Sequence, residues 1–152
     1  MIDPSFVGTR SEPFTMDVER GRLRMFNQVV EASGPVFTDP AAARRAGYPD
    51  LPVPATFLFG LDLADPSDLL AEMGVDLPLV LHVEQGFVYH RTAYAGETLT
   101  FSPVITDVYS RQGGALEFVV RDTAVTGADG GPVADLHQVI AVRSPDSGKE
   151  RP

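Results

Sequence analysis

The segment Leu81–Arg91, with the sequence LHVEQGFVYHR, is followed closely by AGETL at Ala95–Leu99. Apolar residues recur at alternate positions of the first segment, which is the period of a β-strand. The same period continues to about residue 142, with glycine-rich turns predicted at Gly113-Gly114 and Asp129-Gly130-Gly131. The second half of the chain is therefore predicted to be an antiparallel meander.

The first half of the chain has helical patterning instead. After a short predicted strand at residues 13–18, Asp17 is expected to cap a helix whose apolar face runs to Val30, with Gly34-Pro35 ending it. Helices that precede a run of antiparallel strands predict an α+β domain with helices on one face of the sheet.

Three more helical pieces are expected before the strands. Asp39-Pro40 begins a short helix that Gly47 ends, and Phe57–Leu61 is apolar on all sides, which suits a buried helix. A further capped piece is predicted from Asp65-Pro66 to Met73-Gly74. We read Asp65-Pro66-Ser67-Asp68 as a helix cap and not as a metal site.

Length and composition narrow the possible functions. The 152 residues suit one domain, and the absence of cysteine excludes disulfides and a cysteine nucleophile. The net charge of -9, with Lys149 as the single lysine, argues against nucleic-acid binding. The apolar runs are too short for a membrane helix, and the N-terminal residues do not resemble a secretory signal. A soluble, cytoplasmic protein is expected, whose arginines would meet any anionic substrate.

Two sets of motifs resemble one family, the MaoC-like dehydratases of the FAS1-type or HadA-like branch. Leu81–Leu99 is similar to the family run HxEQxFxYHRP…AGDTL, with Thr92 in place of the proline. Gly34–Ala43, Gly47-Tyr48 and Pro54–Phe57 are similar to NPxHxDxxxAxxxGY…PPTF. The likeness extends from about residue 6 to residue 143. It implies a single hotdog fold over residues 1–143, an antiparallel sheet wrapped around a central helix, with residues 144–152 as a disordered tail.

The resemblance also locates a departure from the family. Complete hydratases of this type use an Asp and a His as the acid/base pair, and these positions carry Ala32 and Phe37 here. Neither side chain can move a proton. A shift of the alignment by one or two residues would instead bring Glu31 or Asp39 near the place of the pair.

Other polar residues are weighed as candidates. His82, Glu84 and His90 share one face of a regular strand, with Gln85 on the other. His82 is either a hydrogen-bonded strand residue near a dimer seam, or a proton carrier oriented by Glu84. His82 and His90 are too far apart on an extended strand to share a metal ion, so no metal site is expected.

Substrate-binding residues are expected beside the central helix. The resemblance implies that the loop before this helix lines an acyl tunnel, with the small Ala55 leaving room for a chain. The predicted substrate-binding residues are Tyr48, Pro54, Ala55, Thr56, Phe57, Gln85 and Arg91. No cofactor is expected beyond the thioester carrier of the substrate, which is coenzyme A or an acyl carrier protein.

The resemblance implies a lyase component of fatty-acid or polyketide metabolism: an (R)-specific enoyl-thioester hydratase or 3-hydroxyacyl-thioester dehydratase subunit. Lacking the acid/base pair, it would bind a second hotdog subunit that supplies one. One alternative is a homodimeric thioesterase or Michael-addition enzyme that uses His82 or a positioned water. Another is a non-catalytic acyl-thioester binding protein. All three predict a homodimer or heterodimer.

Overall fold

Five strands form one antiparallel sheet in the computed structural model, which describes residues 1–111, 113 and 115–143. They are β1 (Phe14–Asp17), β2 (Val80–Tyr89), β3 (Thr98–Arg111), β4 (Leu116–Thr126) and β5 (Pro132–Arg143). Their order across the sheet is β1-β3-β4-β5-β2, so β3 to β5 form the predicted meander and β1 and β2 are its edges. The predicted α+β class is confirmed.

Four short helices cover the concave face of this sheet or its margins. They are α1 (Arg20–Val29), α2 (Pro40–Arg45), α3 (Phe57–Asp62) and α4 (Leu69–Glu72). Single 3-10 turns lie at Pro4–Phe6, Pro35–Phe37 and Leu77–Leu79.

The helix boundaries differ from the predicted ones at α1 and agree at α2. Asp39 caps α2, because its side chain accepts a hydrogen bond of 2.8 Å from the backbone N–H of Ala41. Asp17 does not cap α1: it is the last residue of β1 and accepts a hydrogen bond from the hydroxyl of Thr98. Val30 lies beyond the end of α1 and is exposed, so the predicted apolar face is shorter than expected.

The central helix, α3, is only six residues long. Pro66 lacks a backbone N–H and restricts Asp65 to extended conformations, so the helix cannot continue through this pair. The next helix, α4, covers four residues instead of the predicted segment from Asp65 to Met73. The sheet is therefore covered closely by α3 over one half and loosely over the other.

The core is divided into two apolar clusters that reflect this break. The first packs α3 against one half of the sheet, with Leu58 and Leu61 contacting the cluster that includes Phe101 and Leu136. The second includes Leu69, Met73 and Val75 together with Ile105, Val119, Ile140 and Val142 of the other half.

A β-bulge interrupts β2 between His82 and Glu84. His82 pairs with Ile140, whereas Glu84 pairs with Val139, and neighbouring residues of β5 point to opposite faces. The prediction that His82, Glu84 and His90 share one face is therefore wrong. His82 points to the concave face together with Gln85, and Glu84 and His90 point to the convex face.

Two further predictions concern regions at the limits of the described residues. The predicted tail, residues 144–152, lies outside them, and so does Gly114 of the predicted Gly113-Gly114 turn. Within the described ranges, no helix is long and apolar enough to cross a membrane.

Candidate functional site

A cavity of about 800 Å³ lies where α3 ends and the sheet is loosely covered. We call it the sheet cavity. Its apolar lining includes Phe59 and Leu63 near the end of α3, Leu69 of α4, and Ile105, Val119 and Ile140 of the sheet. Its volume is in the range of small-molecule sites, roughly 300–1,000 Å³. The cavity thus lies beside the break between α3 and α4, which contains Asp65-Pro66.

A row of polar side chains crosses the concave face beneath this cavity. Arg121 of β4 pairs with Gln138 of β5, which pairs with Gln85 of β2. Paired residues of neighbouring strands point to the same face, so these three side chains form one row, the polar row. On the side of the polar row nearer to α3, the next row consists of Thr123, Leu136 and Phe87. On the opposite side, the next row consists of Val119, Ile140 and His82.

Arg121 joins the polar row to the end of α3. Its guanidinium donates hydrogen bonds of 2.8 Å to the carboxylate of Asp62 and 2.9 Å to that of Asp65. The side chains of Arg121 and Asp65 are 13% and 15% exposed, and that of Asp62 is 1% exposed. All three residues line the sheet cavity together with Gln138 and His82. An otherwise apolar site thus contains a compact group of hydrogen-bond donors and acceptors.

The electrostatics of Asp62 reflect its burial. Desolvation raises the pKa of its carboxyl group, and the nearby Arg121 only partly opposes this effect. The hydroxyl of Thr123 also lies beside this carboxyl group and, like Arg121, favours its ionised form.

The loop between α1 and α2 holds Ala32 and Phe37, the two positions to which the family resemblance assigns the acid/base pair. The N–H of Ala32 donates to the backbone carbonyl of Asn27, and the side-chain amide of Asn27 donates to the carbonyl of Phe37 at 2.8 Å. Asn27 is 1% exposed. One buried residue of α1 therefore contacts both positions through their backbones, while their side chains remain apolar.

The structure separates the two residues predicted to act together in catalysis. His82 lines the sheet cavity, where its ring packs edge-on against Phe59 with a centroid distance of 4.7 Å. Glu84 is exposed on the convex face, so it does not orient His82. Of the alternative acids, Asp39 caps α2, and Glu31 is exposed with a φ of 52°.

A second hollow, of about 340 Å³, brings together two of the predicted substrate-binding residues. Ala55 and Arg91 line it with Val53, Tyr89, His90 and Thr92. The Tyr89 hydroxyl donates a 2.6 Å hydrogen bond to the carbonyl of Ala55, and burial raises the pKa of Tyr89 to about 12. This hydrogen bond joins β2 to the loop before α3.

Arg91 is held by the AGETL turn. Its guanidinium forms a bidentate pair with Glu97, with distances of 3.1 and 2.8 Å, and also donates to the carbonyl of Thr92. Glu97 in turn accepts a hydrogen bond from the N–H of Tyr94. These contacts explain why an arginine at the end of β2 and an acid in the following turn occur together.

The remaining predicted residues lie in different surroundings. Phe57 is buried in the first apolar cluster, where its ring meets Phe26 edge-on. Tyr48 is partly exposed beside Tyr94, Thr56 is exposed, and Pro54 is half-buried. Gln85 belongs to the polar row, and its Oε1 is buried without a hydrogen-bond partner.

Sequence reasoning missed the group formed by Asp62, Asp65, Arg121 and Gln138. The available signal was the charge of Arg121 on the same strand face as Val119 and Val125. Its partners are about 60 positions away in a segment interpreted as an apolar helix and a cap, so no local pattern links them.

Solved structures identify the class of protein. The chain has a TM-score of 0.79 and 28% identity to the C-terminally truncated HadBC complex, a 3R-hydroxyacyl-ACP dehydratase from Mycobacterium tuberculosis, covering 90% of this chain and 96% of that one. A MaoC-like dehydratase matches with a TM-score of 0.83 and 24% identity over 93% of this chain and 43% of that chain. The fold is a hotdog fold of the MaoC-like dehydratase kind, as predicted.

Sequence comparisons identify the family within this class. The model of the FAS1-like dehydratase domain region matches residues 5–136, so the chain belongs to this family. A UPF0336 protein of Clavibacter michiganensis is 36% identical over 132 residues, covering 86% of this chain and 87% of its relative. One from Streptomyces avermitilis is 38% identical over 116 residues, covering 74% and 77%.

Proposed function

We propose that this chain is the acyl-binding subunit of a two-subunit (R)-specific enoyl-thioester hydratase or 3-hydroxyacyl-thioester dehydratase. The sheet cavity carries this proposal, since it provides a largely apolar space of about 800 Å³ inside a domain of the dehydratase family. Apolar surface of this kind favours the alkyl chain of an acyl thioester over water.

The chemistry is assigned to the second subunit because of Ala32 and Phe37. Hydration of an enoyl thioester requires a proton at one carbon and activation of a water molecule at the next, which a positioned acid and base supply. Alanine and phenylalanine supply neither. A partner subunit would contribute both groups if it carried the complete family motif D-x-N-P-x-H, whose Asp and His form the acid/base pair. This chain would then hold the acyl tail.

The free edge of β2 suits such a partner. Leu81, Val83 and Val88 are exposed on this strand, and an unpaired edge with apolar side chains favours pairing with another chain. Val80 and His82 of the same strand line the sheet cavity. A subunit paired along β2 would therefore lie beside the cavity. The HadBC and ChsH1–ChsH2 structures are themselves complexes of two subunits.

The test is an enoyl-CoA hydration assay that follows loss of absorbance of the conjugated thioester. We expect no turnover by this chain alone and clear turnover after co-expression with a second hotdog subunit that carries the intact run. Replacing the histidine of that run in the partner should abolish turnover. Hydration by this chain alone, at the rate of the assembled pair, would overturn the proposal.

A cavity variant tests the acyl-binding role separately. Ala71 lies at the exposed rim of the sheet cavity, so Ala71→Trp should narrow it and reduce turnover of long acyl chains while sparing short ones. Ala41→Trp, at an exposed position of α2, is the matched control and should leave both unchanged. Equal loss for short and long chains in Ala71→Trp would argue against acyl binding in this cavity.

His82 supports a second candidate, a homodimeric enzyme that acts on acyl thioesters without a partner. The imidazole of His82 lines the sheet cavity and is exposed, so a ligand in the cavity can contact it. Turnover by the chain alone that His82→Ala abolishes, without a large loss of thermal stability, would favour this candidate. Saturable acyl-CoA binding without conversion, even with partners present, would instead favour a non-catalytic binding protein.

A further inference from the structure

The sheet cavity contains more polar groups than a simple alkyl chain requires. Arg121, Asp62, Asp65 and Gln138 all line it, and they meet at the point where α3 ends. A saturated chain would cover these polar groups without offering any of them a hydrogen bond, which is unfavourable. An apolar side chain at position 121 or 138 would bind such a ligand better.

We propose that the acyl chain bound in the sheet cavity carries a hydroxyl group remote from the thioester, which the Arg121–Asp62–Asp65 group and Gln138 recognise. This inference rests on the proposed function and names its substrate class: hydroxylated acyl thioesters. The juxtaposition of charged donors and acceptors within one apolar cavity is the observation that carries it.

The available hydrogen bonds select a hydroxyl among polar groups. A guanidinium has five N–H donors, and two of those of Arg121 are used by Asp62 and Asp65, which leaves three for an acceptor on the ligand. The carboxylate of Asp65, whose side chain is 15% exposed, provides an acceptor for a donor on the same ligand. A hydroxyl is both a donor and an acceptor, so it matches both kinds of group.

Other polar groups fit this site less well. A keto oxygen can accept from Arg121 but offers nothing to the carboxylates. A carboxylate on the ligand would lie close to the carboxylates of Asp62 and Asp65, with one arginine to oppose three negative charges. The charges of Asp62, Asp65 and Arg121 together therefore disfavour binding of an acyl chain that ends in a carboxyl group.

Burial makes this recognition effective. Asp62 and Gln138 are 1% and 8% exposed, so water competes poorly for their hydrogen bonds. A site that hydrogen-bonds a hydroxyl rejects the analogue lacking it, because its own polar groups are then left without partners.

The experiment compares binding of four probes to the purified chain by titration calorimetry. They are hexadecanoyl-CoA, its mid-chain hydroxy derivative, its ω-hydroxy derivative and its ω-carboxy derivative. We expect at least one hydroxylated probe to bind about tenfold more tightly than hexadecanoyl-CoA, which is the ratio expected for one good hydrogen bond. The ω-carboxy probe should bind most weakly.

A matched pair of variants separates recognition from structural support. Asp62→Leu combined with Arg121→Met removes both members of the buried pair, a change that is often tolerated, and leaves Asp65, whose side chain is 15% exposed, without its arginine. In this variant the hydroxylated probes should lose their advantage while hexadecanoyl-CoA binds at least as tightly as before. Gln138→Leu should reduce the advantage, and Ile140→Val, an apolar change in the same cavity, should retain it. A purely structural role would not change this ratio.

The outcomes distinguish the inference from the proposed function. Binding of hexadecanoyl-CoA equal to or tighter than that of both hydroxylated probes would overturn the inference and leave the acyl-binding role intact. Failure of all four probes to bind would contradict the proposed function itself. Retention of the hydroxyl preference by the Asp62→Leu/Arg121→Met variant would assign the recognition to other residues and overturn the inference.

Discussion

The side-chain amide of Asn27 donates a hydrogen bond to the backbone carbonyl of Phe37, and the backbone carbonyl of Asn27 accepts one from the N–H of Ala32. These two contacts fix the loop between α1 and α2 through its backbone. The side chains at positions 32 and 37 take no part in them. The conformation of the loop therefore does not depend on the side chains at positions 32 and 37.

This relationship predicts a large effect of Asn27→Ala on stability. The substitution leaves the carbonyl of Phe37 without its donor, so the free energy of unfolding should fall by about 1–3 kcal/mol in urea denaturation. Gln28→Ala, at the exposed neighbouring position, should change it by less than about 0.5 kcal/mol. Equal effects of the two substitutions would contradict the assigned role of Asn27.

The buried carboxyl group of Asp62 predicts a specific pH dependence. Burial raises its pKa above the ordinary value of 3.8, so the folded state binds this proton more tightly than the unfolded state. The stabilisation by the protonated form is then lost as the pH rises through the raised pKa. The unfolding free energy of the wild type minus that of Asp62→Asn should therefore fall as the pH rises from about 4 through the raised pKa, and should stay constant above it.

Asp50 provides the matched control, because it also pairs with an arginine but outside the sheet cavity. The Arg20 guanidinium beside it lowers the pKa of this carboxyl group. Its stabilisation is complete above its unfolded pKa and is lost only as the pH falls through the lowered one. The difference between the wild type and Asp50→Asn should stay constant above about pH 5. Parallel pH profiles for the two variants would contradict the expected difference between Asp62 and Asp50.

The bidentate pair of Arg91 and Glu97 predicts that lysine cannot replace the arginine. Lysine keeps the charge but lacks the planar fork that contacts both carboxylate oxygens. Arg91→Lys and Glu97→Gln should each lower the unfolding free energy by up to about 1 kcal/mol, because the pair is partly exposed. Acyl-CoA affinity should change less than twofold in both. A loss of affinity confined to Arg91→Lys would instead support the predicted contact of Arg91 with substrate.

Gly127 predicts a non-additive effect on the same pair. A Cβ at this position would lie 2.6 Å from Nη2 of Arg91 and 2.9 Å from Oδ1 of Asp129, so the guanidinium must move away. Gly127→Ala should therefore destabilise the wild type but have a smaller effect in a Glu97→Gln background. A double-mutant cycle measured by urea denaturation gives this coupling. Additive effects would indicate that Arg91 keeps its contact with Glu97.

Local sequence patterns predicted the cap of α2 correctly but not that of α1, where Asp17 contacts Thr98 of a distant strand instead. Asp39-Pro40 caps a helix because the cap contact joins residues two positions apart. The alternation after residue 98 predicts the meander, since each strand has its own two-residue period. The bulge in β2 was not predictable in this way, because it depends on which residues of β5 face His82 and Glu84.

Residue types and their order were thus sufficient for the α+β class, the meander, the cap of α2 and, through the family motifs, the hotdog fold. They did not reveal the sheet cavity or the meeting of Arg121 with Asp62 and Asp65. Those features depend on how far a short helix extends across a twisted sheet and on which distant side chains then share one buried space. Packing of segments about 60 residues apart determines both, and no local sequence pattern predicts such packing.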